Sequence, residues 1–238
     1  MAKTPYILST KTLLPQQKQR LLDAQIAVEE LDFITTKAID FELEKVHDHL
    51  IFTSQNAVQA VLQHPNCNQL KLKTVFCVGL KTKSLLEENG FTVLAYTGYA
   101  ADLAEIIALV YGKERYTFFC GNLRRDELPN ILKENGVLYN EIKVYETALT
   151  PQKIKQQHDG VLFFSPSAVE SYLKSNTIKD ELCFCIGETT AEALVPMLRD
   201  NKIKNRIIAA KPTMEQLIQD VIAYYNSPLA PKGEIRMV

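Results

Sequence analysis

The sequence has no tryptophan, which excludes nothing, and no surplus of basic residues, which excludes more. Its 27 lysines and arginines meet 28 aspartates and glutamates, for a formal net charge of −1. A chain whose main partner is nucleic acid carries a basic footprint, so no nucleic-acid partner is expected. No apolar run approaches the roughly 20 residues that a membrane helix needs, so no membrane partner is expected either. MAKTPYILSTKTLLP at the start lacks the apolar centre of a secretory signal, and a cytoplasmic location is expected. Five cysteines (67, 77, 120, 183 and 185) make an odd number without metal-ligand spacing. Four of them sit in apolar, strand-like runs, where buried, reduced thiols are expected and a metal is not. No GxGxxG follows a strand and no GxxxxGK[ST] occurs, which argues against dinucleotide and P-loop sites. No GxSxG is present and no cysteine has a histidine close by, so a nucleophile–base–orienter set is missing. These absences leave either chemistry that depends on positioning a reactive substrate or no chemistry at all.

What the chain does contain, it contains twice. Residues 52–62 read FTSQNAVQAVL and residues 163–173 read FFSPSAVESYL, identical at Phe52/Phe163, Ser54/Ser165, Ala57/Ala168, Val58/Val169 and Leu62/Leu173. Further on, FCVGLKTKSLL (76–86) is echoed by FCIGETTAEAL (184–194). The two motifs recur in the same order, displaced by 111 residues (52 to 163) and 108 residues (76 to 184). Two motifs in register argue for duplicated domains. Two lobes imply a cleft between them, and small molecules bind preferentially in such clefts.

Composition (46% apolar, 23% charged) allows ordinary globular domains, and the length accommodates two. Short apolar or β-branched runs alternate with helical patterns, the mark of a parallel sheet covered by helices. The expected strands are 5–9, 49–53, 74–78, 92–96, 116–120, 160–164, 182–186 and 206–210. Helical patterns follow in AVQAVLQH, SLLEENG, AADLAEIIALVYG, RRDELPNILKENG, AVESYLKS, TAEALVPMLRD and TMEQLIQDVIAYY. In the last of these, Met214, Leu217, Ile218, Val221 and Ile222 mark one face, with Thr213 as cap. Gly90, Gly112 and Gly136 read as helix stops.

The first repeat begins near residue 46, leaving an unmatched strand and helix in front of it. The economical arrangement lets this N-terminal unit complete the C-terminal domain. The fold class expected is therefore α/β, with two similar doubly wound parallel-sheet (flavodoxin-like) domains. Residues 1–34 plus 149–238 form one discontinuous domain, and 42–141 form an inserted one. Residues 35–41 and 142–148, which alternate in polarity, are expected to be short linker strands paired as a hinge. The tail SPLAPKGEIRMV reads as mobile.

In open parallel sheets, ligands bind beyond the carboxyl ends of the strands. Here those ends carry hydroxyls and small residues: Thr53-Ser54-Gln55-Asn56, Gly79 to Thr82, Tyr96-Thr97-Gly98, Gly121-Asn122, Ser165-Pro166-Ser167 and Gly187 to Thr190. Backbone N–H groups at the helix starts that follow favour anions. Each hydroxyl has a plainer role available, capping the helix it precedes. As a set recurring in both halves, they point to a polar cleft for carboxylates or phosphates. His47-Asp48-His49 lacks a third ligand and reads as a solvated strand start. His158-Asp159 reads as surface, and Arg124-Arg125 as a solvated pair.

Taken together, FTSQNAV with FCVG and KT, CGNLRRDELPNIL, VYET, LFFSPSAVESYL and IGETTAEAL resemble the uroporphyrinogen-III synthase family over roughly residues 46–225. The resemblance implies two α/β lobes joined by a two-stranded ladder. It implies a cyclising hydro-lyase that takes linear hydroxymethylbilane, removes its hydroxyl as water, inverts ring D and closes the macrocycle. No cofactor and no metal are implied. Tyr145, in VYET, matches the family's cleft tyrosine that assists departure of the hydroxyl. Thr53, Ser54, Ser165 and Ser167 match strand-end positions lining the cleft, and Asn56 lies beside them. Thr82 matches the threonine after one glycine turn, and Thr189 and Thr190 the pair after the other. The first strand ends in Ser9-Thr10-Lys11 where the family often has Thr-Arg, and Gln55 stands where proline is common. A monomer is expected, and the resemblance leaves room for transient contact with the enzyme of the preceding step. The competing class is a non-catalytic two-lobe binding protein for a small polyanion.

Overall fold

Strands of four or five consecutive apolar residues need cover on both faces, and helices packed on a parallel sheet supply it. In a computed structural model, which describes residues 4–195 and 206–227, that rule organises two separate units. One takes the chain up to Thr35 and from Ala148 onward; the other is Thr36–Thr147. Along the chain the elements begin with β1 (Tyr6–Ser9), α1 (Pro15–Asp23), β2 (Ala27–Glu30), β3 (Ile34–Ala38), β4 (His49–Phe52), α2 (Gln55–Leu62) and α3 (Cys67–Leu70). They continue with β5 (Thr74–Val78), α4 (Leu80–Glu88), β6 (Thr92–Thr97), α5 (Ala100–Tyr111), β7 (Arg115–Gly121), α6 (Glu127–Glu134) and β8 (Leu138–Leu149). Then come β9 (Gly160–Phe163), α7 (Pro166–Leu173), β10 (Leu182–Cys185), α8 (Glu188–Glu192), β11 (Arg206–Ile208) and α9 (Met214–Asn226). The C-terminal part of the helix expected over TAEALVPMLRD, and the tail after Ser227, lie outside the described residues.

The first unit holds a five-stranded sheet in the order β11-β10-β9-β1-β2, with every neighbouring pair parallel. The N-terminal strand β1 sits inside it, Ile7 opposite Gly160 on one side and Ala27 opposite Tyr6 on the other. Alternation along the strands sorts side chains between two buried layers. Leu8, Val161, Phe163, Cys183 and Cys185 pack with Val169 and Tyr172 of α7 and Ala191 of α8. Ile7, Leu162 and Phe184 pack with Leu21 of α1 and with Leu217, Ile218 and Val221 of α9. The α9 stripe is the one its spacing predicts, and the Thr213 hydroxyl accepts from the Gln216 N–H at 3.1 Å.

The second unit holds a six-stranded sheet in the order β3-β8-β7-β4-β5-β6. From β8 to β6 the pairs are parallel. Leu50, Phe52, Val75, Cys77 and Phe119 face α2 and α4. Ile51, Phe76, Phe118 and Cys120 face Leu103 and Ile107 of α5 and Leu128 and Leu132 of α6. Burying such a side chain stabilises the fold by about 1.5–3 kcal/mol. Gly90 and Gly136 have φ of 84° and 69°, left-handed positions just past α4 and α6 that stop those helices.

Three features differ from the sequence expectation. β2 (AVEE) is a strand that its two glutamates concealed; it is half-buried and lies at a sheet edge, so it lacks an apolar run. The second crossing strand is not short. β8 runs 12 residues, because the alternation begins at Leu138 and the stretch from Leu138 to Tyr145 pairs with β7. It neighbours β3, with the Ile39 N–H donating to the Val144 carbonyl and the Thr150 N–H to that of Phe33, an antiparallel sense. Finally, His158 is not on the surface. It is 4% exposed, stacks on Tyr6 at 4.6 Å and lies 2.8 Å from Glu29 Oε2. A neighbouring carboxylate and an aromatic face make burial of the imidazole affordable.

Candidate functional site

In the second unit, the carboxyl ends of β4 and β7 lie side by side, Phe52 opposite Phe119. Beyond Phe52 the chain turns through Thr53 into α2, and Ser54 takes the N-cap position. Its Oγ accepts from the Ala57 N–H at 3.2 Å, which satisfies one orphan donor of the helix. The same oxygen donates its own proton to the Tyr145 hydroxyl at 3.1 Å. Tyr145 comes from β8, where the register with β7 shifts at Cys120/Gly121 and Gly121 falls opposite Tyr145. Such irregularities re-aim a side chain at a sheet rim.

Gly121 explains how the ring fits. A Cβ built there would stand 2.4 Å from Tyr145 Cζ, 2.5 Å from Cε2 and 2.8 Å from the hydroxyl. The ring therefore lies directly on the Gly121 backbone, and no larger residue leaves it room. Asn122 locks the approach from the next position. Its N–H donates to the Tyr145 carbonyl at 3.3 Å, its Nδ2 to the Thr147 carbonyl at 3.1 Å, and its Oδ1 accepts from the Thr147 N–H at 2.7 Å. The backbone just beyond Tyr145 is thus pinned.

Of the other residues expected in this unit, Thr53 is half-buried and Asn56 exposed, and both lie on the same rim. Thr82 is 4% exposed within α4, its Oγ1 turned back toward Gly79. It does not join the Tyr145–Ser54 pair. In the first unit, Ser165 repeats the cap of Ser54, accepting from the Ala168 N–H at 3.1 Å. Its second partner is different: Ser167 Oγ, at 3.1 Å. Thr189 is half-buried in α8, and Thr190 is 2% exposed there. The structure therefore brings together Tyr145 with Ser54, and Ser165 with Ser167. Gly121 and Asn122 complete the Tyr145 setting, whereas sequence reasoning places them only at a strand end. The signal available is a Gly-Asn pair directly after the buried run YTFFC, followed 23 residues later by Tyr145.

The surrounding charges are committed elsewhere. Arg124 Nε donates to Glu141 Oε2 at 2.7 Å and its guanidinium also binds Asp126; these partners raise its pKa further above an already high value. It is half-buried and ion-paired, not freely solvated, whereas Arg125 is exposed. The five thiols are free and buried. Burial pushes Cys77 up to about 12 and Cys120 up to about 11, so neither offers a thiolate near neutral pH. Among the described residues no group of three or more His, Cys, Asp or Glu is placed to hold a metal ion. In the His47-Asp48-His49 run, Asp48 pairs with Lys73 at 2.9 Å and His49 Nε2 lies 3.3 Å from Glu114. Among the described residues no helix is long and apolar enough to cross a membrane.

What this arrangement offers chemically is a phenol with its oxygen already hydrogen-bonded by Ser54 and its own proton left for another acceptor. A preset donor of this kind suits protonation of a departing oxygen.

Similarity to known proteins agrees in fold and in family. The structure resembles the crystal structure of uroporphyrinogen-III synthetase from Helicobacter pylori 26695, with a TM-score of 0.69 at 21% identity, covering 92% of this chain and 99% of that one. It also resembles a mutant uroporphyrinogen III synthase from the extremely thermophilic bacterium Thermus thermophilus, with a TM-score of 0.63 at 15% identity, covering 91% and 97%. At these identities the likeness establishes a shared two-domain α/β fold with parallel sheets. The porphyrin biosynthesis protein HemD of Ruminiclostridium josui is 25% identical over 195 residues, 73% of this chain. The chain spans only 37% of the length of that relative. The model of the family described as uroporphyrinogen-III synthase HemD matches residues 17–219, the large majority of the sequence. The chain belongs to the uroporphyrinogen-III synthase HemD family.

Proposed function

We propose that this chain converts linear hydroxymethylbilane to uroporphyrinogen III, as a cofactor-independent cyclising hydro-lyase of tetrapyrrole synthesis. The observation that carries the reading is Tyr145: a family-matched tyrosine, seated on Gly121, with its hydroxyl oxygen held by Ser54. In the proposed first step the hydroxymethyl C–O bond breaks. Tyr145 gives its proton to the leaving oxygen, which departs as water, and Ser54 supports the developing phenolate. The pyrrole nitrogen's electron pair stabilises the cation left behind. That methylene carbon then bonds to the already substituted carbon of ring D, forming a spiro intermediate. The bond from that ring-D carbon to the ring-C methylene then breaks, leaving a second pyrrole-stabilised cation, and the freed methylene bonds to the unsubstituted α-carbon of ring D. Loss of that carbon's proton, with return of a proton to Tyr145, restores the pyrrole and closes the macrocycle with ring D inverted.

Ionisation of such a pyrrole is intrinsically easy, so the demanding part is conformational: the correct ring-D carbon must be presented before unguided closure occurs. In this reading both rims grip the eight carboxylates of the substrate. Thr53, Ser54, Asn56 and Thr82 act from one unit, and Ser165, Ser167, Thr189 and Thr190 from the other, with helix-start N–H groups sharing the load. Segments 35–41 and 142–148 serve as the hinge between them. A monomer in the cytoplasm, meeting the preceding enzyme transiently, completes the proposal.

Product-isomer analysis tests it. Purified protein given hydroxymethylbilane is expected to yield the type III isomer, and Tyr145→Phe to lower kcat by roughly 10²-fold or more while staying folded. Formation of the type I isomer alone, the product of spontaneous closure, would refute the reading.

A further inference from the structure

The rim that carries Tyr145 continues past β4 to a corner with a different character. There β5 and β6 end together, Val78 opposite Thr97, and the Gly79 N–H donates to the Thr97 carbonyl at 2.8 Å. Three large apolar side chains stand exposed at this corner: Leu80 (63%), Tyr96 (46%) and Tyr99 (62%). Lys83 extends its Nζ over the Tyr96 ring, 4.6 Å from the centroid. Leu80 and Lys83 are three apart on α4 and so share a face. Tyr99 is fixed by its turn, since Thr97 Oγ1 donates to the Tyr99 carbonyl at 2.7 Å. Single exposed apolar residues are ordinary. Two tyrosines and a leucine around a lysine are less so, particularly at the strand ends where parallel sheets bind ligands.

We infer that Leu80, Lys83, Tyr96 and Tyr99 form a second substrate contact, in which an aromatic face takes one pyrrole ring and Lys83 takes a carboxylate on it. Three observations fit this occupant. The corner exposes Leu80, Tyr96 and Tyr99 with the Lys83 ammonium over one ring, which complements a ring bearing acidic arms. Among the described residues the carboxylate paired with Lys83 is Glu87, at a long 3.7 Å. The corner also lies two strands from Ser54, roughly 10 Å at ordinary strand spacing, so a molecule with several linked rings reaches both. Tyrosine suits the task because its ring packs a π-face while its hydroxyl stays wet. The inference rests on the activity proposed above, which supplies the polycarboxylate tetrapyrrole as ligand.

The test uses the full chain and two readouts. The first is equilibrium binding of uroporphyrin, an octacarboxylic porphyrin, followed by fluorescence. The second is steady-state turnover of hydroxymethylbilane with isomer analysis. Tyr99→Ala and Lys83→Gln are each expected to weaken uroporphyrin binding roughly three- to tenfold. Each should raise KM by a similar factor while kcat and the isomer ratio hold within about twofold. Lys83→Gln should also flatten the salt dependence of binding. Leu109→Ser changes neither readout, since that residue is 84% exposed near the opposite end of α5. Unchanged uroporphyrin affinity in both strip variants overturns the inference, even if the wild-type chain makes the type III isomer. So does a wild-type chain that does not bind uroporphyrin. A wild-type chain that binds through the strip but makes no type III isomer removes the activity and leaves the strip standing as a polycarboxylate site.

Discussion

Adding one methyl group at Gly121 tests whether the seat of Tyr145 matters more than its mere presence. The new Cβ would stand 2.4 Å from the ring, closer than real Cβ contacts occur, so the ring has to move. Ordinary carbon contacts lie near 3.5 Å, which requires a displacement of about 1 Å. The backbone cannot yield instead, because Asn122 and Thr147 bind it reciprocally just beyond Tyr145. A misplacement of this size in a catalytic group costs on the order of 10²-fold in rate. The stability cost of overpacking is about 1–3 kcal/mol, partly offset because alanine suits a strand better than glycine by roughly 0.5–1 kcal/mol. Gly121→Ala should therefore remain folded by circular dichroism, with a modestly lower Tm, and lose nearly as much kcat as Tyr145→Phe. The double variant separates a local effect from a general one. If Gly121 acts only by seating Tyr145, adding Gly121→Ala to Tyr145→Phe costs little further rate. A folded Gly121→Ala chain with wild-type kcat, or a fully additive double variant, would refute the reasoning.

Other perturbations follow from the same geometry. Ser54→Ala and Ser165→Ala remove equivalent caps, each expected to cost about 1 kcal/mol by denaturant titration; only Ser54→Ala should also lower kcat, by roughly tenfold, and equal kinetic effects would contradict the Tyr145 bond as the difference. Thiol reagents should label the native chain slowly near neutral pH and rapidly in denaturant, since the five cysteines are buried; fast native labelling would contradict their placement. Burial raises Cys77 and Cys120 from 9.0 to about 12 and about 11, so their contribution to stability is complete below pH 9. It falls as pH rises from there through the folded values, because the unfolded chain loses its thiol protons first; a Tm that stays flat between about pH 8.5 and 10.5 would count against this.

What can be read from the chain alone depends on how local the deciding physics is. The apolar strands and the α9 stripe are legible because burial on two faces leaves a run, and helix packing leaves a 3.6-residue period. β2 is not, since an edge strand of Ala-Val-Glu-Glu satisfies its backbone without an apolar signature. His158 misleads for a related reason. A histidine beside an aspartate before a strand looks solvated, and only the fold brings Glu29 and Tyr6, both more than a hundred residues away in the chain, to enclose it. Ser54 is visible as a strand-end hydroxyl, but whether it serves as cap or as partner to Tyr145 is a question of distance, not of pattern. Gly121 carries no signal beyond its position, because a glycine required by a neighbouring ring looks like any glycine ending a strand.

In the proposed reading, the duplicated serines illustrate how a catalytic contact arises from a structural one. Both hydroxyl oxygens cap a helix by accepting a backbone N–H, and that duty uses a lone pair and leaves the proton unassigned. In one half the neighbouring residue is Ser167, and the two serine hydroxyls face one another at the cap. In the other half the long strand β8 delivers Tyr145, and the spare proton goes to a phenol. The fold needs the two caps equally, so stability alone would keep both serines as they are. The functional difference proposed between them lies in what is brought alongside, and that is set by a register shift between β7 and β8 and by the missing side chain at Gly121. Moving chemistry to the first half would take more than a tyrosine for Ser167, because a residue in the first turn of α7 lacks a strand to aim it and a glycine to seat it.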